Sequence, residues 1–347
     1  MIISGDPFDP LRNGPSTGDP AAVLDDAADA GPEAELRPFV IDASQHGERL
    51  DRALVVLAPE FSRSYLQQLI EAGAVALNGR AATRSSAKVR AGDQGTIELK
   101  PTPQSQAFRP EAMELNVVFE DEHLLVVNKP AGLVVHPAPG NWSGTLLNGL
   151  LARDPQAMLL PRAGIVHRLD KDTSGLMVVA RTRAVMDALV QLIAAREVAR
   201  QYVALAHRAW GGTIVRHVLA PIGRDPRNRL RMAVVESGKP AATTFELLQD
   251  AAQGCWVRAT LQTGRTHQIR VHMAHIGHPL VGDELYGGAA AAGLARQALH
   301  AYRLAFRHPV TGAALEFHAP LPADLVQALA RWSLRYNDRE WLTSHAP

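Results

Sequence analysis

Residues 164–180 read GIVHRLDKDTSGLMVVA. Two apolar runs, Gly164–Val166 and Leu176–Ala180, flank the polar insert HRLDKDTSG. Such runs, bounded by turn residues, predict buried strands. Thr173-Ser174-Gly175 supplies the hydroxyls and glycine of a turn. A solvated turn accounts for those residues but poorly for the density of opposite charge. Asp170 stands among His167, Arg168 and Lys171, cations that hold a carboxylate in its ionised form. An ionised, positioned carboxylate can act as a nucleophile. The stretch therefore predicts a functional loop between pieces of sheet.

Further along the chain, LNVVFED (115–121), LLVVNKP (124–130), GLVVHP (132–137), YVALAHR (202–208), ATTFELL (242–248) and CWVRATLQTG (255–264) also read as strands. Helical runs lie between and after them, at 181–196 and 323–337. Strands outnumber helices and are often joined by turns. This predicts an α+β domain over 115–340, with a mixed, mainly antiparallel sheet and flanking helices.

A smaller unit precedes it, over 38–100. GERLDRALVVLAP spaces Leu50, Leu54 and Leu57 for a helix. Ser62 then reads as the N-cap of SRSYLQQLIEAG, which Gly73 closes. Asn78-Gly79 predicts a hairpin turn. Residues 101–114, proline-rich, read as a linker. Residues 1–36, rich in Pro, Gly, Asp and Ala, read as a disordered acidic tail. That tail carries eight acids and one base. The rest of the 347 residues carry 35 bases against 27 acids, so a net charge of +1 hides a body of +8. A basic body favours a polyanionic partner such as nucleic acid.

The chain holds one cysteine, Cys255. An internal disulfide and a cysteine zinc cage are therefore excluded, in keeping with a cytoplasmic location. No stretch approaches the ~20 apolar residues of a membrane helix, and the N-terminus does not read as a secretory signal. Residues 262–288, QTGRTHQIRVHMAHIGHPLVGDELYGG, contain His267, His272, His275 and His278. Imidazoles suggest metal, but the spacing is not H-E-x-x-H and no acid lies between them, so a metal site is not expected. Arg265 and Arg270 in the same stretch could hold a carboxylate by a charge-assisted pair. Arg270 reads as a strand-borne surface cation. Tyr202 begins an apolar strand and by itself reads as a half-buried core residue.

NKPAGLVVHP (128–137), GIVHRLDKDTSG (164–175), QYVALAHR (201–208) and TGRTHQIRVHMAHIGHPLVGDELYG (263–287) together resemble the RluA-type pseudouridine synthases. The wording HRLD-x-x-TSG is highly specific to that family. The phrase SRSYLQQLIEAGAVALNGR resembles the S4 RNA-binding domain. PIGRDPRNRLRMAV (221–234), GKPAATTFELL (238–248) and RQALHAYRLAFRHP (296–309) resemble the RluD-like subgroup, which acts on large-subunit (23S) ribosomal RNA.

The resemblance implies a pseudouridine synthase fold and isomerisation of uridine to pseudouridine in RNA, without cofactor or metal, by a monomer. It implies that Asp170 is the catalytic aspartate. The aspartate attacks C1′ or C6, or takes a sugar proton; the sequence leaves these routes open. Arg270 is implied as its basic partner, and Tyr202 as the tyrosine packed on the uracil. Arg168 is implied to enter the RNA stack where the target base leaves, with His167, Arg265 and His267 as further RNA contacts. Leu280 or Val281 is implied as the apolar wall under the flipped base. Arg63, Arg80, Lys88 and Arg90 are the expected RNA contacts of the S4-like unit. A non-catalytic RNA-binding protein and a histidine-based metal hydrolase are the competing readings.

Overall fold

The computed structural model describes residues 35–335, apart from 60, 62, 100–106, 139 and 229. The acidic tail up to residue 34, Ser62 and the first half of the expected linker lie outside the described residues.

The N-terminal unit runs β1 (Glu35–Val40), α1 (Leu50–Leu57), α2 (Arg63–Glu71), β2 (Val75–Leu77), β3 (Arg80–Ala81) and β4 (Gln94–Leu99). Its sheet has the order β1-β4-β2-β3. β1 begins inside the stretch read as tail, because Glu35 and Leu36 pair with Leu99 and Glu98. Asn78 and Gly79 both have positive φ, 50° and 76°, which is the type I′ hairpin geometry. Leu50 and Leu54 of α1 and Leu66, Leu69 and Ile70 of α2 pack with Val75 and Ile97 into one core. Between the helices, the Asp51 carboxylate is wholly inaccessible beneath the Arg49 and Arg63 side chains. It accepts hydrogen bonds from Arg49, Arg63 and Gln67.

The larger unit runs β5 (Val117–Glu120), β6 (Leu124–Lys129), α3 (Leu146–Arg153), β7 (Ser174–Ala180), α4 (Arg183–Ala194), β8 (Ala199–His207), β9 (Val215–Leu219), β10 (Ile222–Arg224), β11 (Met232–Val234), β12 (Ala242–Asp250), β13 (Gly254–Leu261), α5 (Gln268–His275), β14 (Leu299–Arg307), β15 (Ala314–His318) and α6 (Ala323–Arg331). The main sheet has the order β5-β6-β7-β14-β8-β13-β12-β9, with β15 also on β14. All its ladders are antiparallel except β7–β14. That parallel contact is short: His300 with Ser174, and Ala301 with Gly175.

Gly175 is required there. Its φ is +118°, and a Cβ would lie 2.2 Å from the Ala301 carbonyl oxygen. Alternation along β8 sends Tyr202, Ala204 and Ala206 into a core with α3, Ile269 and Met273. Val203 and Leu205 go to the opposite core, under α6.

Five expectations change. GLVVHP is not a strand, and GIVHRLD carries only an isolated bridge, Ile165 to Val179. The segment around Arg270 is the helix α5, not a strand. Residues 107–111, expected within the linker, are docked: Asn148 of α3 donates to the carbonyls of Ala107 and Arg109 and accepts from the Glu111 amide. The C-terminal helix stops at Arg331, and Ser333 has φ 58°.

Candidate active site

The chain approaches Asp170 through Ile165, bridged to Val179, and leaves it by a turn in which the Thr173 amide donates to the Asp170 carbonyl. β7 begins at the next residue, so the carboxylate is mounted directly on the sheet. Lys129, at the end of β6, lies beneath this loop and is 1% exposed. Its Nζ donates to the carbonyls of Pro130, Leu133 and Lys171, at 2.8, 2.8 and 2.9 Å. Burial pulls its pKa down to about 7, against the opposing pull of Asp172 and Asp170.

Arg270 reaches Asp170 from α5. Its Nη1 donates to Asp170 Oδ2 at 2.9 Å, while Nε and Nη2 grip Asp283 at 2.7 and 2.8 Å. The guanidinium also lies 4.9 Å from the Tyr286 ring centre, a cation–π distance. Burial works against its charge, but the hydrogen bonds and charge of Asp283 and Asp170 outweigh this and raise its pKa. The result is a carboxylate–guanidinium–carboxylate chain, with Asp283 at the buried end and Asp170 at the more open one.

His267, in the left-handed conformation at the head of α5, is 3.8 Å from Asp170 through Nε2. Its Nδ1 is 2.8 Å from the Tyr286 hydroxyl, which accepts from the Met232 amide. If the hydroxyl donates to Nδ1, the ring proton sits on Nε2 and faces Asp170. Tyr202 is 5% exposed. Burial raises the pKa of its phenol; Arg200 lowers it and Asp170 raises it further. The phenol is thus neutral at pH 7, and the Asp170 charge is one of the influences that keep it so.

The remaining expected site residues divide. Arg168 is exposed and makes no hydrogen bond or ion pair among the described residues. Its charge is felt at His136 and His267, which sets it at the mouth of the site. Arg265 is half-buried and donates from Nε to the Pro240 carbonyl. His167 faces inward instead: its Nε2 accepts from the Val178 amide of β7, and its Nδ1 is buried without a partner. Burial, then Arg200, lowers its pKa to about 3, so the ring is neutral and is not a cation for RNA.

Leu280 and Val281 are both fully buried. Leu280 shares the core of Tyr202, whereas Val281 belongs to the core on the other face. In the N-terminal unit, Arg80, Lys88 and Arg90 are exposed, Lys88 donating to the Gly47 carbonyl. Arg63 is committed to Asp51.

The four histidines of 262–288 go to separate partners. His267 is on Tyr286; His272 is on Thr243 and the Ala220 carbonyl; His278 is on Arg216 and the His207 carbonyl; His275 is exposed. Among the described residues no group of His, Cys, Asp and Glu is placed to hold a metal ion, and no helix is long and apolar enough to cross a membrane. Sequence reasoning missed Lys129, Asp283 and Tyr286 as parts of the site, although all three lie inside the quoted stretches around Pro130 and Gly282.

Comparison with known proteins gives the family. The family model described as RNA pseudouridylate synthase matches residues 123–275, and the S4 domain model matches 48–94. A ribosomal large subunit pseudouridine synthase D from Neisseria meningitidis is 46% identical over 316 residues, covering 85% of this chain and 83% of the relative. This chain belongs to the RNA pseudouridylate synthase family.

A protein of the same description from Escherichia coli strain K12 is 44% identical over 304 residues, covering 83% of this chain and 92% of its own. The human protein RNA Pseudouridylate Synthase Domain Containing 1 has a solved structure with a TM-score of 0.53 at 28% identity. It covers 67% of this chain and 94% of its own. As a pseudouridylate synthase with an N-terminal S4 domain, the chain is an enzyme acting on RNA, isomerising uridine to pseudouridine.

Proposed function

We propose that this pseudouridylate synthase acts on large-subunit ribosomal RNA, with Asp170 as its catalytic carboxylate. The observation that carries the assignment is the 2.9 Å contact between Asp170 and an Arg270 already fixed by Asp283. The pair joins residues 100 positions apart in sequence, and the charge of Asp170 reaches Tyr202. The substrate class is supported by the relatives named as ribosomal large subunit enzymes, the S4 domain and the +8 body.

In the reaction the N1–C1′ bond breaks, the uracil turns, and a C5–C1′ bond forms. C5 loses a proton and N1 gains one, so atoms balance without a redox partner. Stacked RNA hides the glycosidic bond, and extruding the base costs a few kcal/mol. Arg168, free of protein partners at the mouth, is suited to fill the gap left in the stack. Tyr202 offers the ring for the flipped uracil to pack on, with Leu280 behind it in the same core. Asp170, Tyr202 and Arg270 come from one chain, so a monomer completes the site, and ribosomal RNA places its work in the cytoplasm.

Asp170→Asn keeps the shape and removes the charge. The variant is expected to bind RNA and form no pseudouridine; substantial turnover would refute the assignment. Mapping pseudouridine in ribosomal RNA from cells lacking the protein identifies the target uridines. Unchanged large-subunit modification would remove that substrate.

A further inference from the structure

Arg200 lies on β8, two residues before Tyr202, and is 7% exposed. Among the described residues it makes no hydrogen bond or ion pair, and its Nε is buried without a partner. Arg270, the other arginine buried to this degree, is saturated by two carboxylates.

Strand alternation puts Arg200 on the Tyr202 face, about 7 Å away along the strand. Its head lies under the rim segment before His267: a methyl group built on Gly264 would be 2.9 Å from Nη1. Its charge reaches both Tyr202 and His167, and neither is an anion. A permanently charged planar fork therefore sits unmatched at the site, beside the ring offered to the uracil. An unpaired buried charge is unfavourable, and the guanidinium fork matches a phosphate bidentately. The substrate brings one phosphodiester per nucleotide into this cleft.

We propose that Arg200 is a phosphate-binding residue of the substrate site, which takes a phosphodiester flanking the flipped uridine. The inference rests on reading the Asp170 cleft as the uridine site. The bound phosphate supplies the counter-charge that Arg200 lacks in the free protein and fixes the backbone while the base lies on Tyr202.

The test uses the full chain and a stem-loop RNA containing the target uridine. Arg200→Met fills similar volume without charge. At ~0.15 M salt it is expected to bind the RNA at least ~10-fold more weakly, and its plot of log affinity against log salt is expected to flatten by about one phosphate contact. Arg200→Lys is expected to restore the salt slope but only part of the affinity. With the unaltered protein, a neutral methylphosphonate linkage on one side of the target uridine is expected to cost as much as Arg200→Met and to cost nothing further in that variant.

Wild-type affinity and salt slope in Arg200→Met would overturn the proposal, as would two silent methylphosphonates. So would an effect confined to the pH dependence of turnover, which would assign the charge to Tyr202 instead. The methylphosphonate arm holds even if the variant fails to fold. Absence of any conversion by the wild-type protein counts against the Asp170 reading. Conversion with unimpaired Arg200→Met binding counts against Arg200 alone.

Discussion

Arg270→Ala separates a structural from a catalytic contribution. The sequence reads Arg270 as a surface cation on a strand, whose loss should spare the fold. In the structure it is 6% exposed on α5 and makes three hydrogen bonds to two carboxylates. The two carboxylates differ: the Asp170 side chain is 16% exposed and that of Asp283 is 1%. Truncating Arg270 leaves Asp170 near water but strands Asp283 in the interior. An uncompensated buried charge of this kind costs ~3–5 kcal/mol. At about 2–4 °C per kcal/mol for a domain of this size, Tm is expected to fall by roughly 10 °C. Turnover is expected to be lost as well. Calorimetry or denaturant unfolding reads the first effect and a tritium-release assay on RNA reads the second. Pairing Arg270→Met with Asp283→Leu removes both buried charges and is expected to recover most of the stability but none of the activity. Unfolding of Arg270→Ala within ~0.5 kcal/mol of wild type would refute the reasoning.

Two other perturbations probe the scaffold. Three donors, Arg49 foremost, hold the Asp51 carboxyl well below its ordinary pKa of 3.8. A carboxylate depressed on folding stabilises above its unfolded pKa and loses that contribution as pH falls through the folded value. The N-terminal unit is therefore expected to weaken below about pH 4, and Asp51→Ala to cost ~2–3 kcal/mol at neutral pH while flattening that acid limb; an unchanged limb would refute this. Gly175→Ala places a methyl group against the Ala301 carbonyl at positive φ. It is expected to destabilise by more than ~2 kcal/mol; a variant as stable as wild type in urea would show that β7 and β14 can part without cost.

The sheet was legible because its strands contain unbroken apolar runs, as in Tyr202 to Ala206 and Leu176 to Ala180. The N-terminal unit was legible through Leu50, Leu54 and the Asn78-Gly79 turn. Asp170 stood out through its charged neighbours in sequence, but the cation bonded to it in the structure is Arg270, from α5. α5 was not, and its residues explain why. In QIRVHMAH, Ile269, Val271 and Met273 alternate with Gln268, Arg270 and His272, a period of two that reads as a strand. All six are buried, so the helix has no polar stripe. Its polar members each find an interior partner: Gln268 the Ala242 carbonyl, Arg270 two aspartates, His272 Thr243. An amphipathic pattern marks a helix with one wet side, and here only the last turn, at His275, reaches water. His167 was misplaced for a related reason: a histidine in a charged run reads as exposed, but its ring turns back to cap the Val178 amide.

The junction between β7 and β14 reaches beyond architecture. Asp170 hangs from the portion of the chain ending in β7, whereas Tyr202 and Arg270 belong to the portion beginning with β8. Within the sheet, two residue pairs join those portions, His300 with Ser174 and Ala301 with Gly175. A fragment ending after α4 holds Asp170 without its clamp, and the complementary fragment holds the clamp without Asp170. Reassembly of two such pieces would thus be reported by turnover itself.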